Sequence, residues 1–164
     1  MLNELHIILE DVKLQMDFYL DTGDVLGISD AEISELLSRV FVDGGFTDPE
    51  TAIYLFEPSA VRRRGKTICA RAKQDLILAG MVIVAYPDSP AHLLAQGNET
   101  EMHLLGVKPE YRGNDLGKRL VAAAINNARQ EGCSKMLLWT QPTMRVAQRL
   151  YGSSGFVRRP GPGF

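Results

Sequence analysis

Val12, Leu14, Met16, Phe18 and Leu20 alternate with Lys13, Gln15, Asp17 and Tyr19 near the start of the chain. This is the two-residue period of a half-buried strand. Leu5, Ile8, Leu9, Val12 and Met16 also fit one helical face; we read a strand over 12–20, closed by a turn at Asp21-Thr22-Gly23-Asp24. The period then changes. Ser29-Asp30-Ala31-Glu32 has capping-box spacing and opens a helix to about Val42, which Asp43-Gly44-Gly45 stops. Asp48 before Pro49 places an N-cap ahead of a first-turn proline and predicts a second helix to about Arg63. Apolar runs over 66–73 and 76–85, with a tight turn near Gln74-Asp75, predict a hairpin. Pro87 to Thr100 reads as a loop. A strand over 101–107, a helix over 114–131 stopped by Gly132, a strand over 135–140 and a helix over 144–153 ended by Gly155 complete the series. Leu116, Leu120, Ala123 and Ala124 give the 114–131 helix a narrow apolar face suited to close packing on a sheet. Hairpin, strand, helix, strand, helix predicts an α/β (α+β) chain: a mixed sheet with helices on both faces.

Composition narrows the function classes. A chain of 164 residues with 45% hydrophobic and 23% charged residues is expected to form one globular domain. The longest apolar run, Leu76 to Tyr86, is too short to cross a bilayer, and no basic region precedes an apolar segment at the start. A cytoplasmic protein without a membrane partner is expected. Cys69 and Cys133 sit far apart in apolar contexts and are expected as reduced, buried thiols. Three histidines and two cysteines show no metal-ligand spacing, so no metal site is expected.

The net charge of −2 hides an asymmetry: residues 1–60 hold 13 acidic and 2 basic side chains, residues 61–164 hold 7 and 16. A basic half suits a polyanionic cofactor and an acidic half a cationic acceptor, although solvated faces account for the same distribution. The basic residues are scattered, with little aromatic interleaving, which argues against nucleic acid as a partner.

The stretch from Glu101 to Lys118, EMHLLGVKPEYRGNDLGK, carries the chemistry. A strand feeding a Gly/Asn/Asp turn and then a helix aims several backbone N–H groups, and the positive helix end, at one point. That suits a phosphate or pyrophosphate, and Arg112, Lys118 and Arg119 would strengthen the site. The spacing of Gly113 and Gly117 fits neither G-x-G-x-x-G nor a P-loop. It resembles the acetyl-CoA signature of the GNAT superfamily of N-acetyltransferases, V-x-P-x-x-R-G-x-G-x-G. Val107, Pro109, Arg112, Gly113 and Gly117 are in register, and Asp115 stands where the middle glycine usually is. A second stretch, AQRLYGSSGF at 147–156, resembles the family's A-x-x-L-Y-x-x-x-G-F; the usual asparagine is replaced by Met144.

The resemblance covers roughly residues 28–158. It implies the GNAT fold, a mixed, mostly antiparallel sheet in one domain over 1–164, with 1–27 as an N-terminal strand or extension. The tail at 156–164 is short for the two further strands that such sheets usually have. Phe156 to Arg159 has room for one short strand, and Pro160-Gly161-Pro162-Gly163 cannot form a central one. The open edge is left to the N-terminal strand, to a second copy in a homodimer, or to nothing.

The activity implied is acetyl transfer from acetyl-CoA to a primary amine. An alkylamine must lose its proton at pH 7, at about 4–5 kcal/mol, and a base in reach offsets part of this. Glu101 and His103, two apart on the signature strand, share one side of it and are the candidates; the family often uses a carboxylate at the Glu101 position. Tyr151 matches the family's usual general acid. Leu105 and Val107 match the positions where a bulge frees backbone N–H groups for the acyl carbonyl and pantetheine. Arg112, Gly113, Asn114, Leu116, Gly117 and Lys118 are the expected pyrophosphate site. The acceptor wall is expected over 43–57, where Asp43, Asp48, Glu50 and Glu57 favour a cationic amine. Asp115, Met144 and the short tail motivate two other readings: a non-catalytic acyl-CoA-binding sensor or regulatory module, and a dimerising structural protein.

Overall fold

The structure is a computed structural model that describes residues 16–159. Its one sheet has five strands in sequence order: β1 (Phe18–Thr22), β2 (Gly65–Ala72), β3 (Leu78–Ala85), β4 (Glu99–Val107) and β5 (Lys135–Leu137). β1 to β4 pair antiparallel, and β5 joins β4 in parallel. β3 is buried along its whole length, as the continuous apolar run LAGMVIVA requires of a strand covered on both faces.

Five helices cover the sheet: α1 (Asp30–Leu37), α2 (Pro49–Leu55), α3 (Pro58–Arg64), α4 (Leu116–Gln130) and α5 (Arg145–Ser153). On one face Val82, Val84 and Met102 pack with Leu116, Leu120 and Val121 of α4, and Leu150 and Tyr151 of α5 lean on the same cluster. On the other face Leu78, Met81 and Ile83 pack with Ile33, Leu36 and Leu37 of α1 and Val61 of α3. Gly80 lets α4 approach: a Cβ there would lie 2.9 Å from Leu120 Cδ1.

The capping box of α1 forms as read, with Ser29 accepting from the Glu32 N–H and Glu32 from the Ser29 N–H. The helix then continues to Val42 as a π-helical turn over Ser38–Val42. The helix read over 49–63 is two. Pro58 disfavours helical backbone at Glu57, and the Glu57 side chain caps a new helix through the N–H groups of Ser59 and Ala60. The hairpin turn is wider than read, spanning 73–77 with Leu76 at φ +62°. β1 runs to Thr22, so the turn falls later than Asp21-Thr22; residues 12–15 of the expected strand lie outside the described residues.

β5 is three residues long rather than six, and 156–159 is irregular rather than a strand. Both Cys69 and Cys133 are free thiols; Cys69 is fully buried and its thiol is pushed up to about 12 by burial, whereas Cys133 is half-buried. Among the described residues no helix is long and apolar enough to cross a membrane.

Candidate active site

β4 positions the site because it is irregular in the middle. Ile83 of β3 faces His103, and Met81, two residues back, faces Gly106, three residues on. The extra residue is a bulge, and it leaves Leu104 and Leu105 without a facing residue on β3. Leu104 sits at φ +49°, a left-handed conformation that costs a non-glycine residue about 1–2 kcal/mol. On the other side β5 pairs only with Glu99, Thr100 and Glu101. Beyond Glu101 the outer edge of β4 has no partner strand among the described residues. The bulge also resets the alternation. Glu101 and His103 are on one side of the strand, while Leu105 and Val107 pack on the α4 cluster together with Tyr151.

Glu101 and His103 are brought into contact. Glu101 is 3% exposed, and its Oε2 lies 2.7 Å from His103 Nε2. Its Oε1 accepts from three consecutive backbone N–H groups, Leu93 at 2.8 Å, Leu94 at 2.5 Å and Ala95 at 2.7 Å. Burial alone would raise this carboxyl; His103 and the three amides outweigh it and hold it at about 2. With Nε2–H donated to Glu101, His103 presents Nδ1 as an acceptor, and that buried atom has no hydrogen-bond partner among the described residues. The 93–95 amides were missed from the sequence, where this stretch reads as a plain loop. No side-chain signal marks three main-chain donors.

The Gly/Asn/Asp turn follows β4. Pro109–Tyr111 forms a 3₁₀ turn, Gly113 is at φ +78° and Asp115 at φ +58°, ψ +16°. Arg112 donates from Nε to the Val107 carbonyl and pins the turn to the end of β4. Asn114 is buried; Nδ2 donates to the Tyr111 and Arg112 carbonyls, and Oδ1 accepts from the Met16 N–H, so its side chain shapes the loop. Asp115 is the residue before α4 and makes no side-chain capping bond. The N–H groups of Leu116, Gly117 and Lys118 are first-turn donors with no intrahelical acceptor. Leu116 anchors this turn in the core at 2% exposure. A Cβ on Gly117 would lie 3.1 Å from Leu150 Cδ2, so that glycine lets α5 approach α4. The Lys118 side chain is exposed. This is an anion cradle of main-chain donors, and the residues fit a pyrophosphate.

Tyr151 is half-buried, edge-on to Phe156 with ring centroids 5.9 Å apart, and burial pushes its phenol up to about 12. Met144 precedes α5 without capping it and packs instead on the α1 side of the sheet. Gln141, in the loop before it, donates to the Phe46 carbonyl at 3.0 Å and ties the β5–α5 loop to the segment after α1. Of the carboxylates expected to form an acidic acceptor wall, Asp48 caps α2 and Glu57 caps α3.

A family model described as the acetyltransferase (GNAT) family matches residues 31–156. A mycothiol acetyltransferase from Kocuria rhizophila is 41% identical over 58 residues, which is 35% of this chain and 19% of that relative. In structure the chain is similar to an aminoglycoside N-acetyltransferase solved in complex with CoA: TM-score 0.64, 17% identity, covering 94% of this chain and 95% of the other. A GNAT-family acetyltransferase from Staphylococcus aureus gives a TM-score of 0.67 at 16% identity, covering 90% and 87%.

Proposed function

Because the chain belongs to the GNAT acetyltransferase family, we propose that it transfers an acetyl group from acetyl-CoA to a primary amine by direct attack. The observation that carries this is the coincidence, on one strand–turn–helix unit, of the β4 bulge and the uncapped α4 N-terminus. The main-chain N–H groups around Gly113 to Lys118 hold the pyrophosphate, with Arg112 and Lys118 adding charge. Val107 lines the path towards the reacting centre. The Leu105 N–H, freed by the bulge, donates to the acyl oxygen as negative charge develops on it. Acetyl-CoA, when bound, supplies the acyl group as an activated thioester.

His103 and Glu101 divide the work of the base. A carboxylate held near 2 is a poor proton acceptor, so Glu101 is a positioning residue. It fixes the imidazole tautomer and leaves His103 Nδ1 to take the amine proton, directly or through water. Tyr151 returns a proton to the departing thiolate.

Thiol release from acetyl-CoA against a panel of amines tests the proposal. Release that depends on the amine is expected. CoA binding with no turnover on any amine would instead favour a non-catalytic acyl-CoA-binding module.

Asp115 supplies a further expected outcome. Its carboxylate is exposed at the mouth of the cradle and serves no cap. At roughly 4–8 Å from a pyrophosphate and an effective dielectric near 20, the repulsion is about 2–4 kcal/mol before solvent and the neighbouring cations reduce it. Asp115→Gly also relieves the left-handed backbone. It is expected to tighten CoA binding about tenfold, near 1.4 kcal/mol, with a smaller gain at high salt. Titration of both proteins with CoA at two ionic strengths reads this; equal or weaker binding by the glycine variant at low salt places the carboxylate away from the phosphates.

A further inference from the structure

We propose that the acceptor is a small amine that carries a carboxylate and an apolar side chain, held in the groove between α2–α3 and the β3–β4 loop; this rests on the acetyltransferase reading. The groove is open to solvent, has a volume of about 410 Å³ and is lined by residues that include Tyr54, Leu55, Arg63, Arg64, Pro90 and Leu93. Its volume is in the range of small-molecule sites. Leu93 joins it to the chemistry: the residue that forms part of the groove wall also donates its N–H to Glu101 Oε1, and Glu101 holds His103.

The lining is mostly apolar and contains two arginines and no carboxylate. The arginines stand apart from their neighbours. Arg39, Arg62 and Arg71 each pair with a carboxylate, namely Glu110, Asp30 and Glu32. Arg63 donates only to the Ser59 hydroxyl, at 3.2 Å, and Arg64 only to the Leu55 carbonyl, at 3.3 Å, among the described residues. Arg64 is half-buried, and burial lowers its guanidinium with no carboxylate to offset it. Glu57, the nearest acid in sequence, spends both carboxylate oxygens on capping α3, on the Ser59 and Ala60 N–H groups and the Ser59 hydroxyl.

Two guanidinium groups with spare donors, beside exposed Tyr54 and Leu93, complement an anion attached to an apolar body. A polyamine or another cation would meet two like charges there instead. This reverses the preference that the acidic first half of the sequence suggests: within 43–57, Asp48 and Glu57 cap helices, and before it Asp30, Glu32 and Glu35 sit in ion pairs.

The test is calorimetry on the full chain in the presence of CoA, with phenylalanine, phenethylamine and spermidine as probes. Phenylalanine is expected to bind at least tenfold more tightly than phenethylamine. That preference is expected to fall below threefold in the Arg63→Gln/Arg64→Gln double variant and to persist in Arg64→Lys, with thermal melting as the check on folding. No binding of phenylalanine, tighter binding of spermidine, or an equal preference in wild type and double variant overturns the assignment. The same probes with acetyl-CoA separate the two readings. A carboxylate preference in binding without thiol release keeps the groove and sinks the transferase; thiol release with no carboxylate preference keeps the transferase and sinks the groove.

Discussion

Replacing Tyr151 with phenylalanine is expected to lower kcat by about 10²–10⁴-fold, the range for loss of a general acid. The ring is set by α5: it packs on the cluster that holds Leu105 and Leu150 and stands edge-on to Phe156. Phenylalanine keeps those contacts, and the hydroxyl makes no hydrogen bond among the described residues, so the melting temperature is expected to stay within a few degrees. Burial holds the phenol at about 12, so it stays protonated across the working range. It therefore contributes no falling alkaline limb to the pH–rate profile below about pH 11. A phenol this weak matches a leaving thiolate only if the same dry surroundings raise the thiol as well, which desolvation does. Single-turnover kinetics decide the matter: an unchanged rate with chemistry limiting would remove Tyr151 from the mechanism.

The second large effect is on stability. Glu101→Ala is expected to cost about 3–5 kcal/mol, the range for breaking a buried charged pair by removing one partner. The truncation removes the acceptor of the Leu93, Leu94 and Ala95 N–H groups and of the His103 Nε2–H in a partly buried site. At about 2–4 °C per kcal/mol for a chain of this size, the melting temperature falls by roughly 6–20 °C. Glu101→Gln isolates the charge, because its oxygen still accepts from the amides while its NH₂ cannot accept from His103. The pH dependence has a definite sign. The folded carboxyl is at about 2 against an ordinary 4.5, so its stabilisation is complete above about 4.5 and is lost as the pH falls towards 2. Thermal melts of wild type and Glu101→Gln from pH 7 to pH 2 are therefore expected to converge on acidification. A constant gap over that range would mean that the charge carries none of the stability.

Much of the fold was legible because it rests on local rules. Ser29 with Glu32, and Asp48 with Pro49, are capping arrangements complete within four residues, and both form. The apolar run over 76–85 announced a strand of a hairpin, and β3 forms there. Errors fell where a boundary depends on competition. Glu57-Pro58 was read through as helix, yet the proline and the acidic cap together start a new one. β5 stops at Leu137 although Leu138 to Thr140 continue an apolar pattern; its pairing with β4 ends at Glu101, two residues before β4 goes out of register with β3. Charge counting over 43–57 meets a related obstacle: it does not say that Asp48 and Glu57 cap their own helices.

The sequence by itself determined the family and the signature turn, since the positions of Val107, Pro109, Arg112, Gly113 and Gly117 encode a local strand–turn–helix path. It also placed Glu101 and His103 on one side of a strand, which follows from the two-residue period alone. Only the tertiary structure decided the hydrogen bonds that the two make. Three amides from a loop six to eight residues away hold Glu101 as a carboxylate, and Glu101 in turn contacts His103 Nε2. Likewise, nothing in the order of residues shows that Arg62 forms an ion pair with Asp30 while Arg63 and Arg64 form none among the described residues. A pairing across the fold is set by which surfaces packing brings together, and the chain's local pattern carries no record of it.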